Sequence, residues 1–371
     1  MKNITVLGCG MVGSAMVKDL SQKHNVLVAD HSKEALEEVR NIKNVTIKTA
    51  DLSTAANINE LVKKADYVVN AVPGHMGYKT LKTLIDAEKN TVDISFFPED
   101  ALSLKSLAKE KGVTVITDAG VAPGMSNMIC GYHNAQTELS EYKCYVGGLP
   151  CKRVWPHNYK APFSPADVIE EYTRPARYII NGTEVVRKAL SEREILYFDE
   201  VGTLEAFNTD GLRTLIDTMD IPNMVEKTLR YPGTPEYMEV LREMGFFSKK
   251  EIEVNGTKIS PLDFTSKLLF PEWKLEKTEK EFTLMEVSVT SKSGDVTTYN
   301  LFDVFDEKTG ISSMARTTGY TCTATVNLLI DGVFTEKGLF PPELIGADAE
   351  SFKYILNYLT ERGVIYTISS S

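Results

Sequence analysis

The sequence lacks any pair of cysteines with the spacing of a zinc site or of a disulfide framework. Its five cysteines are odd in number and widely scattered along 371 residues: Cys9, Cys130, Cys144, Cys151 and Cys322. We therefore expect neither a disulfide network nor a structural metal. This cysteine usage is typical of a reducing compartment and predicts a cytoplasmic protein.

Long apolar runs and excess positive charge are missing as well. No run approaches the roughly 18 apolar residues of a membrane-spanning helix, so no membrane association is expected. Residues 1–8 enter a strand-like run at once and do not resemble a signal peptide. The formal net charge of −10 argues against nucleic acid as a partner, because phosphate contacts need clustered Lys and Arg. The composition instead fits a globular protein of two domains that takes a small-molecule substrate.

The first 120 or so residues alternate short β-branched runs with helical stretches. Short connections join them, which predicts a parallel α/β sheet, doubly wound as in a Rossmann domain. Six runs are expected to be strands: Ile4–Gly8, Asn25–Asp30, Val45–Lys48, Tyr67–Ala71, Asn90–Ile94 and Thr114–Asp118.

This rhythm changes near residue 124. Strand-like segments such as Tyr142–Val146 and Thr283–Thr290 are then separated by long polar stretches, which predicts an inserted α+β domain. A helix is expected from Ile311 to Leu329, with a stripe formed by Met314, Thr318, Cys322 and Val326. We predict that residues 1–124 and 311–371 form the first domain, to which the C-terminal segment returns, and that residues 125–310 form the second.

The segment Gly8-Cys9-Gly10-Met11-Val12-Gly13 fits the pattern GxGxxG between a strand and a helix. Gly8 allows a tight turn, Gly10 lets the backbone approach a pyrophosphate, and Gly13 allows close helix packing. The helix that opens at Met11 and Val12 offers free N–H groups to the anion. The alternative is a glycine turn without a ligand.

Asp30 ends the second strand, where a carboxylate can accept both hydroxyls of the adenosine ribose. The same charge repels a 2′-phosphate, so Asp30 predicts NAD rather than NADP. Lys33 and Arg40 follow closely and weaken this preference.

Two further strand ends should face the cofactor, because open parallel sheets bind ligands at their carboxyl edge. Val72 and Pro73 follow the fourth strand, and Ser95 follows the fifth. His75 is either a contact to the nicotinamide or substrate, or a loop histidine in solvent.

Several longer segments resemble the saccharopine dehydrogenase superfamily, and within it the lysine 6-dehydrogenases. They span nearly the whole chain: Thr117–Gly124, Tyr145–Pro150, Tyr172–Pro175, Leu204–Phe207 and Met314–Arg316. The resemblance implies a Rossmann domain split by a substrate-binding and dimerisation domain, and hence a homodimer. It also implies oxidation of an amine carbon, with hydride transfer to the nicotinamide.

The segment Val154–Ser164 resembles a Tyr-Lys-Phe-Ser stretch of the family, although Ala161-Pro162 interrupts that pattern. His157 is a candidate general base because its ordinary pKa lies near neutrality. Lys160 is an alternative if its surroundings lower its pKa. Tyr159 between them is a candidate substrate contact.

Two charged residues elsewhere complete the predicted site. Asp118 ends the sixth strand and either holds the substrate ammonium or merely forms a turn. Arg213 is the preferred clamp for the substrate α-carboxylate, because a guanidinium donates two parallel hydrogen bonds. Arg174 and Arg316 are its rivals, and a surface salt bridge is the alternative role.

The resemblance to lysine 6-dehydrogenases implies NAD-dependent oxidative deamination of the ε-amine of L-lysine to the 6-semialdehyde, which cyclises. A second hypothesis is a dehydrogenase of secondary amines, such as saccharopine or carboxynorspermidine, which a second arginine facing the pocket would favour. A third, of another class, is an NAD-binding regulator without catalysis.

Overall fold

A computed structural model describes residues 1–276 and 278–371 of the chain. Two compact units are present. The first contains residues 1–138, 217–219 and 314–365, and the second contains residues 139–216, 220–313 and 366–371.

The first part of the chain alternates strands and helices. In order, these are β1 (Asn3–Leu7), α1 (Met11–Leu20), β2 (Asn25–Asp30), α2 (Lys33–Glu37), β3 (Val45–Thr49), α3 (Ala55–Val62), β4 (Tyr67–Asn70), α4 (Gly74–Asp86), β5 (Asn90–Asp93), α5 (Lys105–Glu110), β6 (Thr114–Ile116) and α6 (Met125–Asn134). A short 3-10 helix, Ala101–Leu104, precedes α5.

The middle of the chain is rich in strands. It contains β7 (Leu139–Pro150), α7 (Pro165–Thr173), β8 (Ala176–Ile180), β9 (Thr183–Arg187), β10 (Glu194–Phe198), β11 (Gly202–Asn208), α8 (Leu215–Thr218), β12 (Met224–Arg230), α9 (Thr234–Glu243), β13 (Ile252–Val254), β14 (Thr257–Ile259), α10 (Pro261–Trp273), β15 (Glu281–Ser291) and β16 (Val296–Val304). The last part contains α11 (Ser313–Ile330), β17 (Gly338–Phe340), α12 (Pro342–Ala347), α13 (Ala349–Glu361) and β18 (Tyr366–Ser370).

The first unit is built on a seven-stranded sheet in the order β17-β6-β5-β4-β1-β2-β3. All of its strand pairs are parallel. The strand order reverses between β1 and β4, which is where doubly wound sheets bind ligands. The predicted Rossmann-type α/β fold is therefore confirmed.

Helix α11 is buried nearly all round rather than along a single stripe. Thr317, Thr321 and Thr325, which lie off the predicted stripe, are each 0% exposed. The hydroxyls of Thr321 and Thr325 donate to the carbonyl oxygens four residues earlier, at 2.7 and 2.8 Å. These hydrogen bonds satisfy the threonine hydroxyls inside the protein. The polarity of threonine therefore does not indicate which face of α11 is exposed.

Asp19 on α1 links the returning helices to the first unit. Its carboxylate accepts hydrogen bonds from Thr323 of α11 at 2.5 Å and from Tyr358 of α13 at 2.7 Å. Arg362, directly after α13, donates to the same carboxylate at 2.8 Å. A buried carboxylate, Asp19, therefore holds helices α11 and α13 against α1.

The unit boundaries differ from the predicted residues 124 and 311–371. Helix α6 belongs to the first unit because it packs against α12 so closely that a Cβ on Gly131 would lie 1.9 Å from the Glu343 carbonyl oxygen. Strand β18 belongs to the second unit, because it pairs antiparallel with β16. Only residues 314–365 of the C-terminal segment therefore return.

The second unit contains a nine-stranded mixed sheet. Its main path runs β10-β11-β12-β7-β15-β16-β18, and β8 and β9 lie beside β12. Only the β7–β12 pair is parallel among the pairs of this sheet that the structure describes. The predicted α+β character of this region is present, although the sequence pattern had not revealed β9 to β12.

Within residues 1–276 and 278–371, none of the helices has both the length and the apolar character to cross a lipid bilayer. Among the same residues, no group of three His, Cys, Asp or Glu side chains is arranged to hold a metal ion.

Candidate functional site

The glycine loop joins β1 to α1 and has the geometry that its sequence predicts. Gly8 has φ +108°, and a Cβ there would lie 2.4 Å from the Ala71 carbonyl oxygen. A Cβ on Gly13 would lie 2.3 Å from the carbonyl oxygen of Gly8. A Cβ on Gly10, in contrast, would meet nothing within 4 Å. Gly8 and Gly13 are therefore needed to pack the loop, whereas Gly10 leaves open space.

That open space lies at the N-terminus of α1. Gly10 precedes the helix, and no described side chain caps it. Met11 is 41% exposed, while Val12 is half-buried and packs near Gly319 of α11. An uncapped helix start with free N–H groups is suited to an anion.

Asp30 ends β2 beside this loop and is 9% exposed. Its carboxylate accepts the Cys9 N–H at 2.6 Å and the Ser32 N–H at 2.8 Å. Each oxygen therefore has a backbone donor that fixes its position, and each retains a lone pair for a further donor. The His31 ring lies at the same carboxylate, with Nδ1 3.2 Å from Oδ1.

The other predicted cofactor residues follow the neighbouring strands of the same sheet. Val72 and Pro73 connect β4 to α4, and Pro73 directly precedes the helix. His75 lies exposed in the first turn of α4. Ser95 follows β5 and is 3% exposed. Since β2, β1, β4 and β5 are consecutive in the parallel sheet, their carboxyl ends place these residues along one edge.

An unpredicted acid, Asp93, organises that edge. Its carboxylate accepts hydrogen bonds from the Ser95 backbone N–H and hydroxyl, both at 2.8 Å, and from the Asn70 side-chain amide. Complete burial raises the pKa of Asp93 to about 7, although these donors oppose the shift, and the nearby Asp118 charge raises it further. Ser95 is therefore held by a carboxyl that titrates near neutrality.

Asp118 follows β6 and is 4% exposed, with φ +50°. The backbone here is tied to β5 by a hydrogen bond from the Ala119 N–H to the Asp93 carbonyl oxygen at 2.9 Å. Asp118 thus belongs to the carboxyl edge of the first unit, next to Asp93. A left-handed conformation at a non-glycine residue is unusual and recurs at functional sites.

The predicted base belongs to the second unit. His157 lies between β7 and α7, and its ring meets the edge of Trp273 at 6.3 Å. Nδ1 of His157 is buried and has no hydrogen-bond partner among the described residues. Burial lowers the pKa of His157, although Glu272 opposes the shift, so the imidazole is neutral at pH 7. Lys160 is half-buried three residues later.

Tyr159 lies inside the core of the second unit, 3% exposed. The guanidinium of Arg230 stacks on its ring at 4.5 Å and donates to its hydroxyl at 3.4 Å. Arg230 also donates to Tyr172 at 3.1 Å and pairs with Glu171 at 2.6 Å. Tyr159 is thus packed against Arg230 in this core, and its role as a substrate contact stays a prediction.

The predicted carboxylate clamp, Arg213, lies in the loop after β11. It is 6% exposed and has φ +53°. Beneath the loop, the Glu226 carboxylate accepts from the Thr209 hydroxyl at 2.6 Å. A Cβ on Gly211 would lie 2.2 Å from that carboxylate, so a larger residue there would require the Glu226 side chain to move. Burial raises the pKa of Glu226 to about 8.

The rival arginines have different positions. Arg174 directly follows α7 in the second unit, and its side chain is 12% exposed. Arg316 lies on α11 in the first unit and donates to the Arg362 carbonyl oxygen at 3.2 Å. Arg174 therefore belongs to the same unit as Arg213, and Arg316 does not.

The parallel sheet, the glycine loop and Asp30 define the first unit as a dinucleotide-binding domain of Rossmann type. Residues 4–116 match the saccharopine dehydrogenase NADP binding domain, and residues 120–364 match the saccharopine dehydrogenase C-terminal domain. The chain belongs to the saccharopine dehydrogenase family, which confirms the resemblance to this superfamily identified in the sequence.

Curated relatives share modest identity with this chain. A saccharopine dehydrogenase (NADP+, L-glutamate-forming) of Pyricularia oryzae is 26% identical over 67% of the chain and 59% of its own length. A carboxyaminopropylagmatine dehydrogenase of Synechocystis is 21% identical over 94% of both proteins. The chain aligns with only 24% of the length of an alpha-aminoadipic semialdehyde synthase of Arabidopsis thaliana and with 59% of the length of the Pyricularia enzyme, so it spans only part of these relatives.

The fold also matches a solved structure. An apo saccharopine dehydrogenase (L-Glu forming) from Saccharomyces cerevisiae superposes with a TM-score of 0.80 over 100% of both chains, at 19% identity. At that identity the match shows the shared fold.

Proposed function

We propose that this chain is a dehydrogenase that oxidises the ε-amine of L-lysine to the 6-semialdehyde, with NAD as the hydride acceptor. The observation that best supports a redox activity is the open space beside Gly10 at the uncapped start of α1. This space lies in the part of the chain that matches the nucleotide-binding domain of the family. Choosing lysine as the substrate rests on the sequence resemblance to lysine 6-dehydrogenases.

The residues at the sheet edge fit a pyridine dinucleotide. The N–H groups at the start of α1 would hold its pyrophosphate, and Asp30 would hold the adenosine ribose. The name of the matched domain includes NADP, but a carboxylate at the end of β2, as at Asp30, would repel a 2′-phosphate. We therefore propose NAD as the preferred form.

The proposed reaction balances without any further oxidant. The substrate ammonium R–CH2–NH3+ would first lose a proton to a base of the chain, which gives the neutral amine R–CH2–NH2. The ε-carbon would then give up a hydride to NAD+, if bound, which leaves the iminium R–CH=NH2+. Water adds to that carbon and ammonium leaves, which gives the aldehyde R–CHO. Overall, one amine, one NAD+ and one water give one aldehyde, one NADH, one ammonium and one proton.

The chain must remove a proton from the substrate ammonium, because only the neutral amine assists the departure of hydride. His157 is our proposed base, since burial lowers its pKa and leaves the imidazole neutral at pH 7. Asp118 is proposed to hold the ammonium, which is attracted to a buried carboxylate. Arg213 would bind the α-carboxylate at the other end of lysine.

A second candidate function is oxidation of a secondary amine. The curated relatives favour it, since one is named a saccharopine dehydrogenase and another a carboxyaminopropylagmatine dehydrogenase. Such substrates carry an additional arm on the nitrogen, which a lysine site would not need.

A substrate screen separates the two functions. The purified chain would be mixed with NAD or NADP and with L-lysine, saccharopine or carboxynorspermidine, and NAD(P)H absorbance would be followed. We expect reduction with L-lysine and NAD at the highest kcat/KM. Turnover of a secondary amine alone would replace the lysine proposal with the second candidate.

A further inference from the structure

Asp93 is a fully buried acid without a cationic partner in the part of the chain that the structure describes. It ends β5 and is 0% exposed. Its hydrogen-bond donors are all neutral, because they belong to Asn70 and Ser95. An ionised carboxylate in such a setting is costly unless a positive charge comes near it.

The groups around Asp93 can serve both of its protonation states. The ionised carboxylate accepts the Ser95 N–H at 2.8 Å, and the Ser95 hydroxyl lies 2.8 and 3.0 Å from its two oxygens. A hydroxyl can also accept, so Ser95 can bind the protonated acid as well. The Asn70 Oδ1 atom is buried and has no partner among the described residues, so rotation of this amide would offer a second acceptor.

The charge of Asp93 changes near neutral pH. Complete burial raises its pKa to about 7, Ser95 and Asn70 oppose the shift, and the Asp118 charge raises the pKa further. The other titratable group that interacts with Asp93 is the Cys322 thiol of α11, whose pKa is raised by burial and by the Asp93 charge, so it stays neutral. Helix α4 contributes the uncharged Gly77, whose carbonyl oxygen accepts from Asn70 at 3.4 Å.

The strand order places Asp93 on the nicotinamide side of the sheet edge. Asp30 ends β2, and strands β1 and β4 lie between β2 and β5. A doubly wound sheet binds a dinucleotide across the reversal of strand order, with one nucleotide over each half. With the adenosine ribose held at Asp30, the nicotinamide half is expected over the carboxyl ends of β4 and β5, which are Asn70 and Asp93.

The two oxidation states of the cofactor differ in charge at that half. The nicotinamide ring of NAD+ carries a positive charge, and the ring of NADH carries none. A positive ring is attracted to an ionised carboxylate but not to a protonated one. Because Asp93 is buried, dissolved salt screens this attraction less than it would at the surface.

We propose that Asp93 is a specificity-determining residue that favours NAD+ over NADH through its charge, without contacting the cofactor. It is ionised when NAD+ is bound and partly protonated when NADH is bound. Asn70 and Ser95 hold the carboxyl in place in both states. The inference rests on the cofactor part of the proposed function, and it does not depend on the substrate.

Cofactor binding at different pH values tests the proposal without any turnover. The Kd values of NAD+, NADH and ADP-ribose would be measured by calorimetry between pH 5.5 and 8.5. The ratio of the NADH Kd to the NAD+ Kd should rise about 5- to 10-fold over this range, as expected if NAD+ lowers the pKa of Asp93 by about one unit. ADP-ribose lacks the nicotinamide and should follow NADH.

Variants assign the pH dependence to Asp93. Asp93→Asn removes the charge with little change in shape, so its ratio should be flat and close to the wild-type ratio at pH 5.5. Asp86→Asn, in an exposed pair with Lys82, is the matched control and should keep the wild-type rise. Ser95→Ala removes a donor to the ionised carboxylate, so it should move the rise to higher pH. A merely structural role would weaken both cofactors equally at every pH.

Proton release gives a second readout on the wild-type chain. Calorimetry at pH 7 in two buffers of different ionisation enthalpy counts the protons exchanged on binding. NAD+ should release about 0.4 proton more than NADH, because its ring favours the ionised acid. Equal proton release by the two cofactors would overturn the proposal.

The outcomes separate this inference from the proposed function. The expected ratio without any turnover of L-lysine would support the role of Asp93 and overturn the reaction. Turnover of L-lysine with a ratio that does not change with pH, or with the same rise in Asp93→Asn, would overturn the role of Asp93 alone. A chain that binds neither cofactor would overturn both. If Asp93→Asn fails to fold, the shift in Ser95→Ala decides the question.

Discussion

The two units present their candidate binding groups in different ways. At the sheet edge of the first unit, the groups are backbone atoms and residues that directly follow β1, β2, β4 and β5. In the second unit, the arginines lie in loops that are held by buried acids, Glu226 and Asp210. The first arrangement follows from strand order, and the second depends on particular side-chain contacts.

This difference has consequences for tolerance to mutation. The nucleotide edge should lose binding when its backbone is obstructed, even though the fold is intact. The loop that carries Arg213 should be destabilised when Glu226, the acid beneath it, is replaced. Two glycines, one base and two acids test the contrast, from the largest expected effect to the smallest.

Gly10→Val should abolish detectable NADH binding without lowering the Tm. Apart from the residues adjoining Gly10 in sequence, no atom of the described residues lies within 4 Å of a Cβ at this position, so the side chain fits the protein but occupies the space proposed for the pyrophosphate. Calorimetry and thermal unfolding would measure the two effects. Gly13→Ala is the contrasting variant, because its Cβ would lie 2.3 Å from the Gly8 carbonyl oxygen and should lower the Tm. Unchanged NADH affinity in Gly10→Val would contradict the placement of the cofactor.

His157→Gln should lower kcat for L-lysine about 10²- to 10⁴-fold, the usual contribution of a general base, and should leave NADH binding unchanged. The substitution should also remove the decline of kcat/KM at acidic pH, which we assign to protonation of His157. That decline should lie below pH 6.5, because burial lowers the pKa of His157 from this ordinary value. If His157→Gln keeps the wild-type pH profile of kcat/KM, the general base is Lys160 or Asp118 instead.

Glu226 should make stability depend on pH. Burial raises its pKa from 4.5 to about 8, so the folded state favours the protonated form. Its contribution is complete below about pH 4.5 and is lost as the pH rises through 8. Between pH 6 and 9 this should cost about 3 kcal/mol of unfolding free energy, and Asp93, with a pKa of about 7, should add about 1 kcal/mol.

Urea unfolding of wild type and Glu226→Gln at pH 6 and pH 9 measures this dependence. The variant should lose less stability than wild type over the same range, leaving the smaller decline due to Asp93. Glu184→Gln, at an exposed position on β9, should behave as wild type. Equal declines in all three proteins would show that Glu226 is not the buried acid we describe.

Asp30→Ala should have the smallest effect, a rise of about tenfold in the Kd for NADH, because it removes charged hydrogen bonds to a ribose. The ratio of NADPH to NADH affinity should rise at the same time, since the repulsion of a 2′-phosphate is lost. Asp86→Ala, in an exposed pair with Lys82, is the matched control. An unaltered ratio would mean that Asp30 does not select the cofactor.

The sequence predicted the first unit well because its pattern is local. Strands and helices alternate from Asn3 to Ile116, and GxGxxG fixes the loop after β1. Asp30, Ser95 and Val72 could be placed because the carboxyl ends of parallel strands share one edge.

The supporting residues could not be predicted in the same way. Asp93 bonds to Asn70, 23 positions earlier, and Glu226 bonds to Thr209, 17 positions earlier. Neither contact follows from the period of a strand or helix, and a lone acid in a strand usually faces solvent. The same reason explains why the Arg177–Asp210 ion pair was not predicted, because nothing in the sequence shows that two residues 33 positions apart are in contact.

The transfer of hydride from lysine is the central claim, and an isotope measures it directly. L-lysine with deuterium in both positions on its ε-carbon would be incubated with the chain and NAD, and the reduced cofactor analysed by mass spectrometry. The account predicts one deuterium in each NADH formed and deuterium on the aldehyde carbon of the product. NADH that carries no deuterium, or no reduction of NAD at all under conditions where the folded chain binds NADH, would contradict it.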